Sequence, residues 1–495
     1  MSGWAAGIEA VLQPLPVLLI FVGLAVGLVV GALPGLTATM AVAVLLPFTF
    51  ALEPVPGMML LLGVYGGALY AGSIPAILIN TPGTPSAAAT LIDGHPMARR
   101  GEAGQALSIS VVASAVGGML GAIMLALFAP RLADFALSFG PAEYFMLAVF
   151  ALTIIASLSE GMLVKGLISG FLGLGIATIG VDPIQAYPRF SFGSTQLGAG
   201  IEFIAVLIGL FGVAEALTQF ERLRGGASVG TSFGSFRLGL GRLRRLLPTT
   251  LGSTLLGFLV GVLPGTGGDI GSFVAYNEAR RFARGEKKFG RGDPRGVAAA
   301  ESANNASTAG ALVPMLTLGI PGDSVSAILI GAITVHGLRP GPQLFTGSPD
   351  LVYGIFIGFF LAYAILLVLG LAGIRLWAQM MRVPTRFLWP TVLVLSVVGS
   401  YALRTSAFDV FVMLLAGVLG YFMLKGGYPL APLVIGIIVG PIAETGFRRA
   451  MIISGGSYEW LLQPIPLILL ALTVASLALS LLRSRGSGGD ARESG

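Results

Sequence analysis

The chain of 495 residues contains no cysteine. Disulfides, thiolate-ligated metals and a cysteine nucleophile are therefore excluded, although the count leaves the compartment open. Histidine is almost as scarce. Only His95 and His336 occur, far apart in sequence, so neither a histidine metal cluster nor a nucleophile with its histidine base is assembled. Charge is thin as well: 11% of residues are charged, and no lysine or arginine precedes Arg99. No Gly-x-x-x-x-Gly-Lys-Ser/Thr phosphate loop is present, so the chain carries no ATPase motor of its own. The amino terminus has no basic segment ahead of its first apolar run, and no cleavable signal peptide is expected.

What remains is apolar: 55% of residues are hydrophobic, and mean hydropathy is +0.89. The runs Val11–Val30, Gln105–Ala129, Leu351–Ile374 and Leu461–Leu482 have the length needed to cross a hydrocarbon layer of about 30 Å. They are continuous and lack the alternation of a barrel strand, so helices are the spanning element. The composition predicts an all-α polytopic membrane protein of roughly 11–12 transmembrane helices.

Positive charge is concentrated. Gln219–Leu247 and Ala279–Gly296 together hold thirteen of the 29 Lys and Arg residues, as cytoplasmic loops do. No nucleic-acid partner is expected from this pattern; the partner it implies is a lipid bilayer. The two basic loops flank Pro248–Glu278, which contains "GVLPGTGGDI". If both ends stay cytoplasmic, this unit enters the membrane and returns, with Leu263-Pro264-Gly265 at the tip of a re-entrant hairpin. Its second limb, Thr266–Asn277, is too short to span. A twin phrase, "GALPGLTATM", begins at Gly31 and is flanked by Glu9 and Glu53, so its hairpin is expected to enter from the opposite face.

The twin phrases belong to a longer duplication. Pro34 and Pro264 are offset by 230; "YAGSIPAILINTPG" and "TAGALVPMLTLGIPG" place Pro82 and Pro321 239 apart; "LIGLFGVAEAL" resembles "VIGIIVGPIAETG" at 227. An odd number of crossings per copy inverts the second relative to the first. The expected organisation is a first repeat over 1–218, a basic cytoplasmic linker over 219–247, a second repeat over 248–447, and an extra helix and tail over 448–495. Arg131, Arg404, Arg448 and Arg449 would then lie outside, against the charge rule.

Inverted repeats with Pro/Gly-interrupted helices mark secondary transporters. A helix broken inside the bilayer frees N–H groups that attract anions and carbonyls that coordinate cations. Four breaks qualify: Pro34-Gly35; Asn80-Thr81-Pro82-Gly83-Thr84-Pro85-Ser86; Pro264-Gly265-Thr266-Gly267-Gly268-Asp269; and Gly319-Ile320-Pro321-Gly322-Asp323-Ser324. The plain alternative is that the prolines kink helices and the glycines permit close packing. "ESANNASTAG" (Glu301–Gly310) adds Asn304, Asn305 and Thr308, uncharged groups suited to a carboxylate or a dehydrated cation. Alternatively it is a helix start capped by Ser302 or Asn304 in an aqueous loop. Asp269 and Asp323 are either helix caps or, with Asn304 and Thr308, ligands of a coupling cation. Na+ is the one metal considered, and no other cofactor is expected. A substrate carboxylate suits the uncharged groups Asn80, Thr81, Thr84 and Ser86. His95 and His336 fall at matching places after the second break and read as interfacial or capping groups, with proton coupling by histidine the alternative.

Three stretches resemble the large membrane subunit of tripartite tricarboxylate transporters, the TctA family: "LPGTGGDIGSFVAYNEARR", "AAAESANNASTAGALVPMLTLGIPGDSVSAILIGAITVHGLRPGPQLF" and "NTPGTPSAAATLIDGHPMARRG". The likeness runs from about Gly23 to Arg449. It implies uptake of small tri- or dicarboxylates such as citrate across the bacterial inner membrane, driven by a Na+ or H+ gradient. The implied partners are a small four-helix membrane subunit and a periplasmic substrate-binding protein, and the implied motion is elevator-like. Carried over on matching positions, the substrate site takes Pro34, Gly35, Asn80, Thr81, Pro82, Gly83, Thr84, Ser86, Thr266, Gly267, Asn304, Asn305, Pro321, Gly322 and Ser324. His95 stands where the family has tyrosine, and Arg295 and Ala300 where glutamate and proline are expected; none of these touches a break. The competing classes are a membrane-embedded enzyme, for which no catalytic constellation is assembled, a passive anion channel, and a proton-coupled carrier of aromatic carboxylic acids.

Overall fold

A computed structural model gives the fold and describes residues 3–158, 163–222, 235–236, 238–283, 288–380 and 385–490. Of the basic loops, Arg224, Arg237, Arg284 and Lys287 lie outside the described residues. Before the linker the helices are α1 (Gly3–Val11), α2 (Pro14–Ala32), α3 (Ala38–Leu45), α4 (Pro54–Ala71), α5 (Ser73–Ile79), α6 (Ala88–Met97), α7 (Ala103–Ala136), α8 (Pro141–Leu158), α9 (Leu163–Ala177), α10 (Thr195–Gly198), α11 (Phe203–Leu207) and α12 (Ala214–Arg222). After it come α13 (Leu240–Gly261), α14 (Gly267–Phe282), α15 (Pro294–Leu318), α16 (Ser324–Val335), α17 (Leu344–Gly347), α18 (Pro349–Met380), α19 (Thr385–Arg404), α20 (Ala407–Lys425), α21 (Leu430–Ile453) and α22 (Pro464–Asp490). Proline at the start of α2, α4 and α15 fits a position whose N–H has no helical partner.

Among the described residues, seven helical stretches are long and apolar enough to cross a membrane. They are Pro14–Ala32, Pro54–Ile79, Pro85–Ala136, Phe203–Glu221, Pro349–Met380, Ala407–Lys425 and Leu430–Ile453, and six shorter apolar helices accompany them. The chain is an all-α, multi-pass membrane protein.

Packing divides the chain into two units, each assembled from sequence on both sides of the linker. Unit 1 is Met1–Ala133 with Glu215–Leu403; unit 2 is Asp134–Ala214 with Arg404–Gly495. In unit 2, α9 and α21 meet through glycines: a Cβ at Gly173 would stand 2.0 Å from the Leu433 carbonyl oxygen, and one at Gly436 would stand 2.4 Å from that of Gly170. A short hairpin, β1 (Gly180–Val181) with β2 (Pro188–Arg189), is tied to α21 by ions. Arg448 reaches Asp182 at 2.6 Å, and Arg189 reaches Glu444 at 2.6 Å. Arg404 pairs with Asp409 at 2.5 Å. Arg404 and Arg448, two of the arginines that run against the charge rule, are thus neutralised by carboxylates of their own unit.

In unit 1 the helix before each Leu-Pro-Gly tip packs along the helix after the hairpin. A Cβ at Gly27 would stand 2.5 Å from the Val64 carbonyl oxygen, and one at Gly31 2.2 Å from that of Ala68. In the second half, Gly257 stands so against Ala303 at 2.3 Å and Gly261 against Ser307 at 2.2 Å. Ascending numbers meet ascending numbers, so α2 runs parallel to α4, and α13 runs parallel to α15. The intervening limbs, α3 and α14, must therefore run back. The glycines are 230 apart and their partners 239 apart, the two offsets of the sequence phrases. Backbone approach this close is how helices attract one another where no hydrophobic effect operates between them.

The helix ends differ from the sequence expectation in two places. The limb after the second tip extends to Phe282, for 16 residues rather than twelve. The helix containing "ESANNASTAG" begins at Pro294, capped by the Asp293 side chain. Glu301–Gly310 is therefore buried mid-helix, and the capped-start alternative at Ser302 or Asn304 does not apply.

Candidate functional site

Both second breaks have one local design, repeated at the same offset. Pro75 and Pro314 lie inside the helices, four residues before their ends, α5 ending at Ile79 and α15 at Leu318. Asn80 (φ 58°) and Gly319 (φ 70°) then take left-handed backbone. The N–H of Thr81 donates to the Pro75 carbonyl, and that of Ile320 to the Pro314 carbonyl, each at 3.3–3.4 Å. Gly83 and Gly322 return against the helix just left: a Cβ at Gly83 would stand 2.8 Å from Gly72 Cα, and one at Gly322 2.4 Å from Ala311 Cα. A side chain at either position would push the broken chain off its own helix.

The second-half break closes onto the second hairpin. Gly265 N–H donates to the Gly322 carbonyl at 2.7 Å, and a Cβ at Gly267 would stand 3.2 Å from that of Asp323. Asp323 caps α16: one oxygen accepts from Ser326 N–H at 2.7 Å, and the Ser326 hydroxyl accepts from Asp323 N–H at 2.8 Å. Its other oxygen accepts from the Tyr65 hydroxyl of α4. Asp323 is therefore a cap, one of the two readings of the sequence, and also the tie between the halves. Asp269 lies in the first turn of α14 and is exposed.

Helix α14 begins differently. Thr266, at its N-cap, turns its hydroxyl to the Leu263 carbonyl at 2.8 Å and to that of Val260, and makes no side-chain cap. Beside this start lies Asn304, wholly buried, with neither its amide nitrogen nor its oxygen hydrogen-bonded. It is so close that a Cβ at Gly268 would stand 2.2 Å from Asn304 Oδ1. Leaving a buried amide unpaired costs about 1–3 kcal/mol per group, so such groups call for a reason.

The remaining candidates spread outward. Thr84 and Ser86 are buried and share a hydroxyl bond of 3.1 Å. They begin the turn Pro85–Ala87, against which α14 and α15 both pack. Asn80 and Thr81 are exposed. Asn305 gives its amide nitrogen to the Glu301 carbonyl at 3.0 Å and keeps an unpartnered oxygen. Thr308 bonds the Asn305 carbonyl at 2.6 Å and the Tyr363 hydroxyl at 3.2 Å. Pro321 and Ser324 flank the Gly322–Asp323 contact. Pro34 and Gly35 form the first tip, where a Cβ at Gly35 would stand 2.7 Å from Gln219 Nε2. The structure therefore brings together Thr266, Gly267, Asn304, Gly322 and Asp323, and places the first tip against Gln219 instead.

Two residues were not singled out from sequence. Tyr65 occupies the position that Asn304 occupies at the 239 offset, which is the signal that points to it. Glu301 stands inside the quoted polar stretch.

The model of the tripartite tricarboxylate transporter TctA family matches residues 17–435. An Agrobacterium vitis protein, "Uncharacterized 52.8 kDa protein in TAR-I ttuC' 3'region", is 39% identical over 486 residues, covering 98% of this chain and 97% of its own. A second from the same organism, "Uncharacterized protein in TAR-II ttuC' 3'region", is 38% identical over 229 residues, which is 46% of this chain and 95% of its own. No solved structure matches. A match across most of the chain makes it a transporter component of the bacterial inner membrane, not an enzyme, that works with partner subunits and a binding protein; the chain belongs to the TctA family of tripartite tricarboxylate transporters.

Proposed function

We propose that this subunit imports a small tri- or dicarboxylate, citrate being typical, handed over by a periplasmic binding protein and driven by a Na+ or H+ gradient. A small four-helix membrane subunit completes the complex. The observation that carries the reading is Asn304: a fully buried amide, unpartnered at both atoms, beside a helix start whose N-cap residue, Thr266, makes no side-chain cap. Its nitrogen and the first N–H groups of α14 offer donors to a carboxylate without net charge. Its oxygen, with Asp323 and Asp269 nearby, offers ligands to a coupling cation. Thr84 and Ser86, on the turn that packs on the same two helices, extend the uncharged part of the site.

Every candidate residue belongs to unit 1, as an elevator-like mechanism requires, in which one body carries the ligand whole. The inverted relation of the halves is supported by the matched breaks and by the return of each hairpin limb.

The test is uptake into proteoliposomes holding both membrane subunits, with the binding protein outside. The panel is citrate, succinate and benzoate, under imposed Na+ or H+ gradients. Saturable, gradient-driven accumulation of a tri- or dicarboxylate supports the proposal. Accumulation of benzoate alone favours the aromatic-acid carrier, and flux that neither saturates nor follows the gradient makes the protein a channel; either result overturns it.

A further inference from the structure

Glu301 lies on α15 one turn before Asn304 and Asn305, with no exposed surface. Its Oε1 accepts from the Thr90 hydroxyl of α6 at 2.5 Å, and its Oε2 accepts from the Ser114 hydroxyl of α7 at 2.8 Å. Ser110, one turn before Ser114, shares a 2.7 Å bond with Ser73. The buried Tyr70 hydroxyl has no hydrogen-bond partner, and Glu301 acts on it electrostatically. Every hydrogen-bonding partner of this carboxyl is a neutral hydroxyl.

An ionised carboxylate with only such partners, inside a membrane protein, costs several kcal/mol. Binding one proton removes the charge. The cluster accommodates both forms: Thr90 and Ser114 donate to the carboxylate, and either hydroxyl turns to accept from the acid, since a hydroxyl both gives and takes a hydrogen bond. The surrounding ionisable groups do not settle the charge. Tyr70 from α4 and Tyr363 from α18 are phenols. Asp93 on α6 is bonded to Tyr276 of α14 at 2.9 Å, and Asp323 at α16 is bonded to Tyr65. Asp269 opens α14, and the arginines of α13 lie in its first two turns, away from the Gly257 that meets Ala303.

We propose that Glu301 is the proton-binding group of transport. Its carboxylate takes up one proton at one face of the cycle and returns it at the other. The cluster is placed to couple that event to the site. Thr90 lies one turn beyond the Thr84–Ser86 break, and Asn305, whose amide is bonded to the Glu301 carbonyl, adjoins Asn304. Loss of the proton alters the pull on Thr90, which bonds the carboxyl itself.

This assignment rests on the transport reading, so the experiment separates the two. In proteoliposomes with the full complex, the panel carboxylate that the wild type accumulates best is followed under a pH gradient. For one proton per cycle, a gradient of one unit supports about tenfold accumulation. Glu301→Gln, which mimics the acid, is expected to keep counterflow exchange but to lose accumulation, whose ratio falls to about one. Thr90→Val and Ser114→Ala keep the carboxyl while removing a donor to its ionised form. Each is expected to move the pH midpoint of uptake upward by about one unit. Accumulation by Glu301→Gln equal to wild type overturns the proposal. So does a pH profile unmoved by both hydroxyl variants, which decides the matter if Glu301→Gln does not assemble. A wild type that exchanges no panel member overturns the transport reading itself.

Discussion

One methyl group tests the site most directly. Gly268 opens α14 beside the unpartnered amide, and Gly268→Ala would place a Cβ 2.2 Å from Asn304 Oδ1 and 3.2 Å from Ser307 Oγ. Ordinary contact needs about 3.4 Å, so the amide or the helix start must yield by about 1.2 Å. The Asn304 side chain is the softer of the two. It rotates, and the donor proposed for the carboxylate is lost. A hydrogen bond to a charged group contributes about 1.5–3 kcal/mol, which corresponds to about 10- to 150-fold in apparent affinity. Gly271→Ala is the control on the same helix, because its Cβ meets Ser307 Cβ at an ordinary 3.5 Å. Concentration-dependent uptake into proteoliposomes measures both, with co-purification of the small subunit as the check on folding. Gly268→Ala should raise the half-saturating concentration by at least tenfold, while Gly271→Ala should stay within about twofold. Equal behaviour of the two variants, in either direction, refutes the placement of Asn304 at the ligand.

Other outcomes follow from the same geometry. Gly31→Ala and Gly261→Ala, each forced to 2.2 Å from a carbonyl oxygen, should destabilise the detergent-solubilised protein by about 1–3 kcal/mol; Gly252→Ala, with open space around it, should not, and thermal melts rank the three. Asp323→Asn should weaken the cation dependence of uptake, and full retention of that dependence would count against a role for the carboxylate in coupling. In unit 2, the backbone N–H of Gln185 foremost, with Ile184 and the Arg448 guanidinium, overcomes desolvation and holds the Asp182 carboxyl down at about 2. A lowered carboxyl stabilises above its unfolded value of about 3.9 and loses that contribution only as pH falls toward 2. Proteolysis of the 182–199 loop should therefore be the same at pH 5 and pH 8, and Asp182→Asn should speed it at both.

The breaks were legible in sequence because proline beside glycine acts locally: Pro34, Pro82, Pro264 and Pro321 each adjoin a glycine where a helix ends, whereas Pro130 and Pro314, with no glycine beside them, stay inside helices. The duplication was legible for the same reason, and its two offsets reappear in the glycine contacts. Asn304 stood out as a polar residue in an apolar run. Tyr65 did not, since a tyrosine in a glycine-rich apolar helix reads as packing; its role comes from a contact 258 residues away. Glu301 sat at the edge of a polar stretch, where a carboxylate passes for the wet end of a helix until the true start at Pro294 is known. Asp269 and Asp323 looked interchangeable, each following a glycine break. Only packing separates the exposed one from the one that caps α16 and holds Tyr65.

The carboxylates are of two kinds, and the difference bears on which of them can respond to an ion gradient. In unit 2, Asp182, Glu444 and Asp409 face arginines at 2.5–2.6 Å. A guanidinium does not release its proton, so each of these carboxylates keeps a fixed positive partner. In unit 1, Asp293 also faces an arginine, Arg295 at 2.7 Å, but Glu301 faces Thr90 and Ser114, and Asp323 faces Tyr65 and the Ser326 N–H. A hydroxyl stabilises a carboxylate by roughly one hydrogen bond and leaves its charge uncompensated. Such a group gains from any proton or cation that reaches it, and the gain is lost when that ion leaves. Coupling needs an energy that changes with ion occupancy. The hydroxyl-faced carboxylates would supply one, and they stand in the same unit as the unpartnered amide proposed for the substrate.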